Sequence, residues 1–216
     1  MAKLTDLGFR KGLCCETIVS SYNSDGTSNA APMGLKLLDE KHLSMSIFNA
    51  SSTCRNLKEK KAAIVNLTNK IEVFYKSTFK EANNERKVPA EWFVKADIVD
   101  APKLRFADAI VEVSIAHLEP DGKERTRFSC KVELLTAVEQ FPQVYCRAMP
   151  LTLEAITHAT RVKAFINIQE KHKEVTKLIE TIQNHAFVVE RVAPNSQYTA
   201  VFEDLLHRID SWRVEL

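Results

Sequence analysis

The sequence predicts an α+β fold, with a β-rich part up to about residue 140 and a small helical part after it. Three observations point there. Short alternating apolar runs joined by Asp-Gly turns fill much of residues 15–67 and 106–137. The character of the chain changes near Phe141-Pro142. From Met149 onward, apolar residues recur at helical spacing with Lys and Glu between them. The predicted domains are 1–140 and 141–216 of the 216-residue chain, in line with roughly 150 residues per domain.

Cys15 to Tyr22 reads as the first strand, centred on Ile18 and Val19. Asn23-Ser24-Asp25-Gly26 is a tight turn, because Asp-Gly accepts the left-handed backbone that a hairpin needs. Thr27 to Leu38 returns as the second strand. Its Pro32 has no N–H for a ladder hydrogen bond, which marks an edge, a bulge or an open stretch of ladder. In the third strand, Leu43 to Phe48, apolar Leu43, Met45 and Ile47 alternate with His42, Ser44 and Ser46. Asn49 to Lys60 sets a Ser/Thr cluster ahead of charged helix formers, the pattern of an N-cap and a short helix. Ala62 to Leu67 is a short apolar strand, Ile71 to Phe79 fits helix or strand, and Lys80 to Lys87 is polar and reads as an exposed loop.

A second hairpin runs from Phe106 to Leu118, turns at Pro120-Asp121-Gly122-Lys123 and returns from Arg125 to Ala137. Val111, Val113 and Ile115 alternate with Glu112 and Ser114, as on a strand with one face in a core. Beyond Met149, Leu153, Ile156, Ala159 and Ala164 keep helical spacing, and Ile168, Val175, Ile179 and Ile182 continue an apolar stripe that Asn184 is read as ending. Pro194-Asn195-Ser196 then precedes an amphipathic helix from Tyr198 to Trp212.

Composition narrows the function classes. Hydrophobic residues at 45% and charged residues at 27% are the balance of a soluble globular protein. Lys plus Arg total 30 against 28 Asp plus Glu, and the resulting +2 gives no support to a nucleic-acid partner. No run approaches the roughly 18 apolar residues that cross a bilayer. Met1 to Arg10 lack the apolar core of a secretory signal. The expectation is a cytoplasmic protein without a membrane partner. Five cysteines with no Cys-x-x-Cys pair read as reduced, buried thiols. The histidines show no metal-ligand spacing, so no metal is expected.

Chemistry concentrates between Glu16 and Asn56. A helix start carries unpaired N–H groups and the positive end of the macrodipole, which suits a phosphate. Ser51, Ser52 and Thr53 add hydroxyls there, Arg55 a charged planar fork and Asn56 an amide. Taken alone, the same segment also reads as a capped surface helix. Ala30-Ala31-Pro32-Met33-Gly34 lets a flat ligand approach the backbone closely, and also reads as a strand with a bulge. One short strand joins the two segments, so they are placed to flank one cleft. Arg161 shares a helical face with Thr157 and His158, which suits a substrate anion, a partner subunit or an interdomain ion pair.

The run Glu16 to Gly34 resembles the opening signature of a flavoprotein family best known from methanogenic archaea and catalogued as a domain of unknown function. Ser51-Ser52-Thr53-Cys54-Arg55-Asn56-Leu57 resembles its second signature, and Arg147-Ala148 through Arg161 its third. The resemblance implies an FMN-binding split β-barrel followed by a helical C-terminal part, and a homodimer with FMN near the subunit interface. It places Ser51, Ser52, Thr53, Arg55 and Asn56 around the phosphate, with Cys54 in the same turn. Ala31, Met33 and Gly34 would lie along the isoalloxazine. Cys54 stands where the family pattern has an aromatic, Cys146 where it has asparagine, and Ser28 where it has proline. Two functions follow from the resemblance: an oxidoreductase acting on an unnamed small molecule, or a non-catalytic flavin-binding or carrier protein. No residue stands out as a general acid, so the catalytic residues are left unassigned.

Overall fold

The computed structural model describes residues 3–83, 86–138 and 146–214. The chain divides into two compact units, Met1–Asn69 with Lys76–Phe141, and Lys70–Tyr75 with Pro142–Leu216.

The first unit is a closed six-stranded antiparallel barrel in the order β1-β2-β3-β8-β7-β4. Its strands are β1 (Cys14–Tyr22), β2 (Ser28–Asp39), β3 (His42–Phe48), β4 (Ala62–Leu67), β7 (Ala109–Asp121) and β8 (Arg125–Ala137). Both Asp-Gly turns form as the sequence predicts, with Gly26 at φ 81° and Gly122 at φ 73°. β1 pairs with β2 from Cys14↔Lys36 to Tyr22↔Ser28, whereas β3 joins β2 only from Leu35 onward. Residues 28–34 therefore have a ladder partner on one side alone. Pro32 lies in that stretch, where a missing donor costs least. Helix α1 (Ser52–Lys60) follows β3 and packs on β1 and β2.

Alternation fills the barrel. Leu35, Leu43, Met45, Ile47, Val65, Val111, Val113 and Phe128 are buried inside it, joined by Cys54 and Leu57 from α1. Each such side chain contributes about 1.5–3 kcal/mol through burial. A second layer covers part of the outer wall. The two-stranded sheet of β5 (Phe93–Lys95) and β6 (Pro102–Leu104) lies against β1 and β4, where Ala96 and Ala101 of the layer cluster with Ala62, Ile64 and Ile110 of the barrel.

That layer overturns one reading of the alternation. Glu112 is 0% exposed, and its carboxylate accepts hydrogen bonds from the N–H groups of Asp97, Ile98 and Val99 at 2.9, 2.7 and 3.0 Å. Asn66 is also fully buried, donating to Ile18 O and Ser20 Oγ and accepting from Leu104 N–H.

The ambiguous segment is a helix, α2 (Ile71–Thr78). Its first residues group with the helical unit, where the Tyr75 hydroxyl donates to Asp204 and accepts from Arg208 Nε at 2.9 Å. That unit holds α3 (Ala148–Phe165), α4 (His172–Val192) and α5 (Gln197–Val214). Asn184 does not end a helix; α4 runs through it to Val192. On α3 the buried stripe is Ala155, Ile156, Ala159 and Val162, while Ala164 is exposed. Ile168 is exposed between helices rather than part of the apolar stripe. Residues 139–145, where the change of character was read, lie outside the described residues.

Candidate functional site

The start of α1 is fixed from both sides. Ser51 is the N-cap in extended backbone, and its Oγ accepts from Cys54 N–H at 3.1 Å while donating to Phe48 O at 2.8 Å. Asn49 is tied to the β7–β8 turn, with its N–H on Glu124 O and its Oδ1 accepting from Thr126 Oγ1. Arg55 N–H reaches Ser51 O. The N–H groups of Ser52 and Thr53 have no acceptor among the described residues. The first turn carries no acidic side chain, and the last turn carries Lys58 and Lys60. A helix dipole favours the second arrangement and leaves the first turn suited to an external anion.

Polar side chains dock this helix on the β1–β2 hairpin. Asn56 donates both amide hydrogens, to Ser21 Oγ at 3.1 Å and to Asn23 Oδ1 at 2.9 Å. Asn29 donates to Thr53 Oγ1 at 3.1 Å and accepts from Lys80 Nζ. Lys80 thus belongs to this network and not to a solvated loop; burial pushes its ammonium pKa down. Cys54 is fully buried in the barrel core, so its thiol faces away from any ligand at the turn.

A hollow of about 380 Å³ opens between turn and helix, lined by Asn23, Asp25, Ser52, Arg55, Asn56 and Glu59 among others. Arg55 is exposed, with Nη2 3.4 Å from Ser52 Oγ. The hydroxyl and N–H of Thr27 bond Asp25 and hold its carboxyl below the usual range.

The β2 residues do not share one face. Met33 packs on the barrel core, and its carbonyl accepts from Thr17 Oγ1 at 3.1 Å. Ala31 lies two residues away on the same side, by the period of a strand. Gly34 points to the outer wall, where a Cβ would come within 2.5 Å of Cys14 Sγ. There it lines a second hollow of about 290 Å³ with Lys36, Arg125 and Arg127. The structure thus gathers Ser52, Arg55 and Asn56 in one hollow and sets Gly34 in another.

Two expectations outside the site change. Cys14 is exposed rather than buried, while Cys54 and Cys130 are buried and Cys15 and Cys146 are in between. Arg161 pairs with Glu174 at 2.6 Å inside the helical unit rather than across domains. His158 stacks on His185 at 6.3 Å, and the Nδ1 atoms of both are buried without a hydrogen-bond partner among the described residues. Among the described residues no group of three or more potential metal ligands gathers, and no helix is long and apolar enough to cross a membrane.

Comparison with known proteins adds to this geometry. A family model described as the N-terminal domain of a protein of unknown function, DUF447, matches residues 15–138. The fold is similar to that of an FMN-bound DUF447 protein from Methanosarcina mazei, with TM-score 0.77 and 21% identity over 95% of this chain and 99% of that one. It is also similar to a protein from Shewanella frigidimarina described as a candidate flavin reductase with a split barrel domain. That match has TM-score 0.51 and 12% identity over 67% and 76% of the two chains. No curated protein matches the sequence. The similarity shows a split-barrel fold for this chain, followed by the helices α3, α4 and α5.

Proposed function

The chain belongs to the DUF447 family, and from that premise we propose that it is an FMN-binding flavoprotein of oxidoreductase type acting on a small molecule. One observation carries the reading. The first turn of α1 offers two N–H groups without acceptors among the described residues and no acidic side chain, at the edge of a hollow that Arg55 shares. A phosphate fits that donor set. The FMN bound to the similar Methanosarcina protein supports the choice of ligand.

In this reading Ser52, Thr53 and Arg55 hold the phosphate. Ser51, Cys54 and Asn56 shape the turn, since their capping and amide hydrogen bonds are already made within the barrel unit. Ala31, Met33 and Gly34 meet the ring system mostly through backbone atoms, since their positions alternate between faces of β2, in the stretch 28–34 that lacks a β3 partner. Their backbone is left open to a ligand's polar edge on that side. Bound flavin supplies hydride or electron transfer, and the chain's part is to bind and orient it and to exclude water. The reading includes a cofactor domain at 1–140, a helical domain at 141–216, a homodimer with the cofactor near the subunit interface, and a cytoplasmic location.

Purified protein is expected to carry the visible absorbance of oxidised flavin, bleached anaerobically by NADH or NADPH and restored by an acceptor. Protein that stays colourless after incubation with excess FMN would sink the reading. Bound flavin that no donor reduces would instead favour the carrier function.

A further inference from the structure

We propose that Lys80 is a positioning residue that makes the α1 turn selective for a phosphate monoester, acting through Asn29 and Thr53. The inference rests on the flavin reading above and names the group by which the site would tell FMN from riboflavin.

The direction of the hydrogen bonds can be deduced. Lys80 Nζ lies 2.5 Å from Asn29 Oδ1, and an ammonium has donors only. The Asn29 oxygen therefore faces Lys80, and its NH₂ faces Thr53 Oγ1 at 3.1 Å. Thr53 Oγ1 accepts that bond, so its own hydrogen is the free end of the chain. Every donor points the same way, from Lys80 toward the first turn of α1. A phosphate oxygen at that turn completes the sequence as an acceptor; a cationic donor does not.

Charge gives a second argument. Asn29 is 3% exposed, and among the described residues no carboxylate pairs with Lys80. Burial also pushes the Lys80 pKa down, as expected for a cation without a compensating charge. The neighbouring hollow carries Asp25 and Glu59 against Arg55. On those three side chains alone a phosphate dianion would be repelled. The helix end and the Lys80 ammonium, in surroundings of low dielectric, reverse that balance.

The test compares two ligands that differ by the phosphate. Full-length protein stripped of flavin is titrated with FMN and with riboflavin, followed by flavin fluorescence. Wild type is expected to prefer FMN. Lys80→Met should cut that preference about tenfold or more, the scale of a charge-assisted bond, and leave riboflavin affinity unchanged. Asn29→Asp should do the same with Lys80 intact, because the carboxylate neutralises the ammonium and has no N–H for Thr53. Lys80→Arg should keep the preference. An unchanged preference in Lys80→Met and Asn29→Asp would overturn the proposal. So would equal losses for both flavins, which mark a merely structural role. Wild type that binds neither flavin would overturn the functional reading itself, an outcome distinct from FMN binding that ignores Lys80.

Discussion

Arg55 carries the charge in the first turn of α1, and little in the fold uses it. Its guanidinium is exposed and, among the described residues, makes one long contact, to Ser52 Oγ at 3.4 Å. Arg55→Ala should therefore leave thermal stability nearly unchanged, within about 0.5 kcal/mol for a surface change. FMN binding should weaken by about 1.5–3 kcal/mol, the size of a hydrogen bond to a charged group. Calorimetric titration with FMN checks both the loss and its absence; equal affinity would remove Arg55 from the site. At this scale the hydroxyl-rich turn was legible, because capping residues advertise themselves in sequence. Asn29 and Lys80 were not. A lone asparagine in a strand and a lysine in a polar run show no periodicity, and their pairing spans 51 residues.

Hairpins are the elements that the sequence announces most clearly, since alternation and Asp-Gly turns are local signals. The β5–β6 layer is not, because its strands are three residues each and too short to show a pattern. That omission is why Glu112 was assigned to the face away from the core. Alternation tells which side of a strand a residue takes but not whether a second layer covers that side. The layer is pinned by one carboxylate accepting from three successive N–H groups. Glu112→Ala should strand those donors at about 1–3 kcal/mol each, for a total loss of about 3 kcal/mol or more in a denaturant melt. A loss under 1 kcal/mol would mean that water replaces the carboxylate and that the layer does not depend on it.

Over the whole molecule, the change from alternation to helical spacing was legible, whereas β5, β6 and the break between α3 and α4 were not. The buried stripe of α3 and the length of α4 were less so, since polar residues such as Asn184 sit inside a long helix that packing sustains. That packing sets how the molecule responds to acid. Burial lowers the His158 pKa, and the nearby charges of His185 and Arg161 act in the same direction while Glu154 opposes them. Its imidazole binds a proton less well folded than unfolded. As pH falls below about 6.5, the ordinary value, the unfolded chain takes up more protons than the folded one. Stability therefore drops until the lowered folded value is passed, and is full above about 6.5. The loss belongs to the helical unit, where His158 stacks on His185. Helical CD melts at pH 7.5 and 5.5 should show a lower midpoint at the acid pH, and His158→Phe should narrow that gap while keeping the stacked ring. A gap of the same size in wild type and variant would place the acid sensitivity elsewhere in the chain.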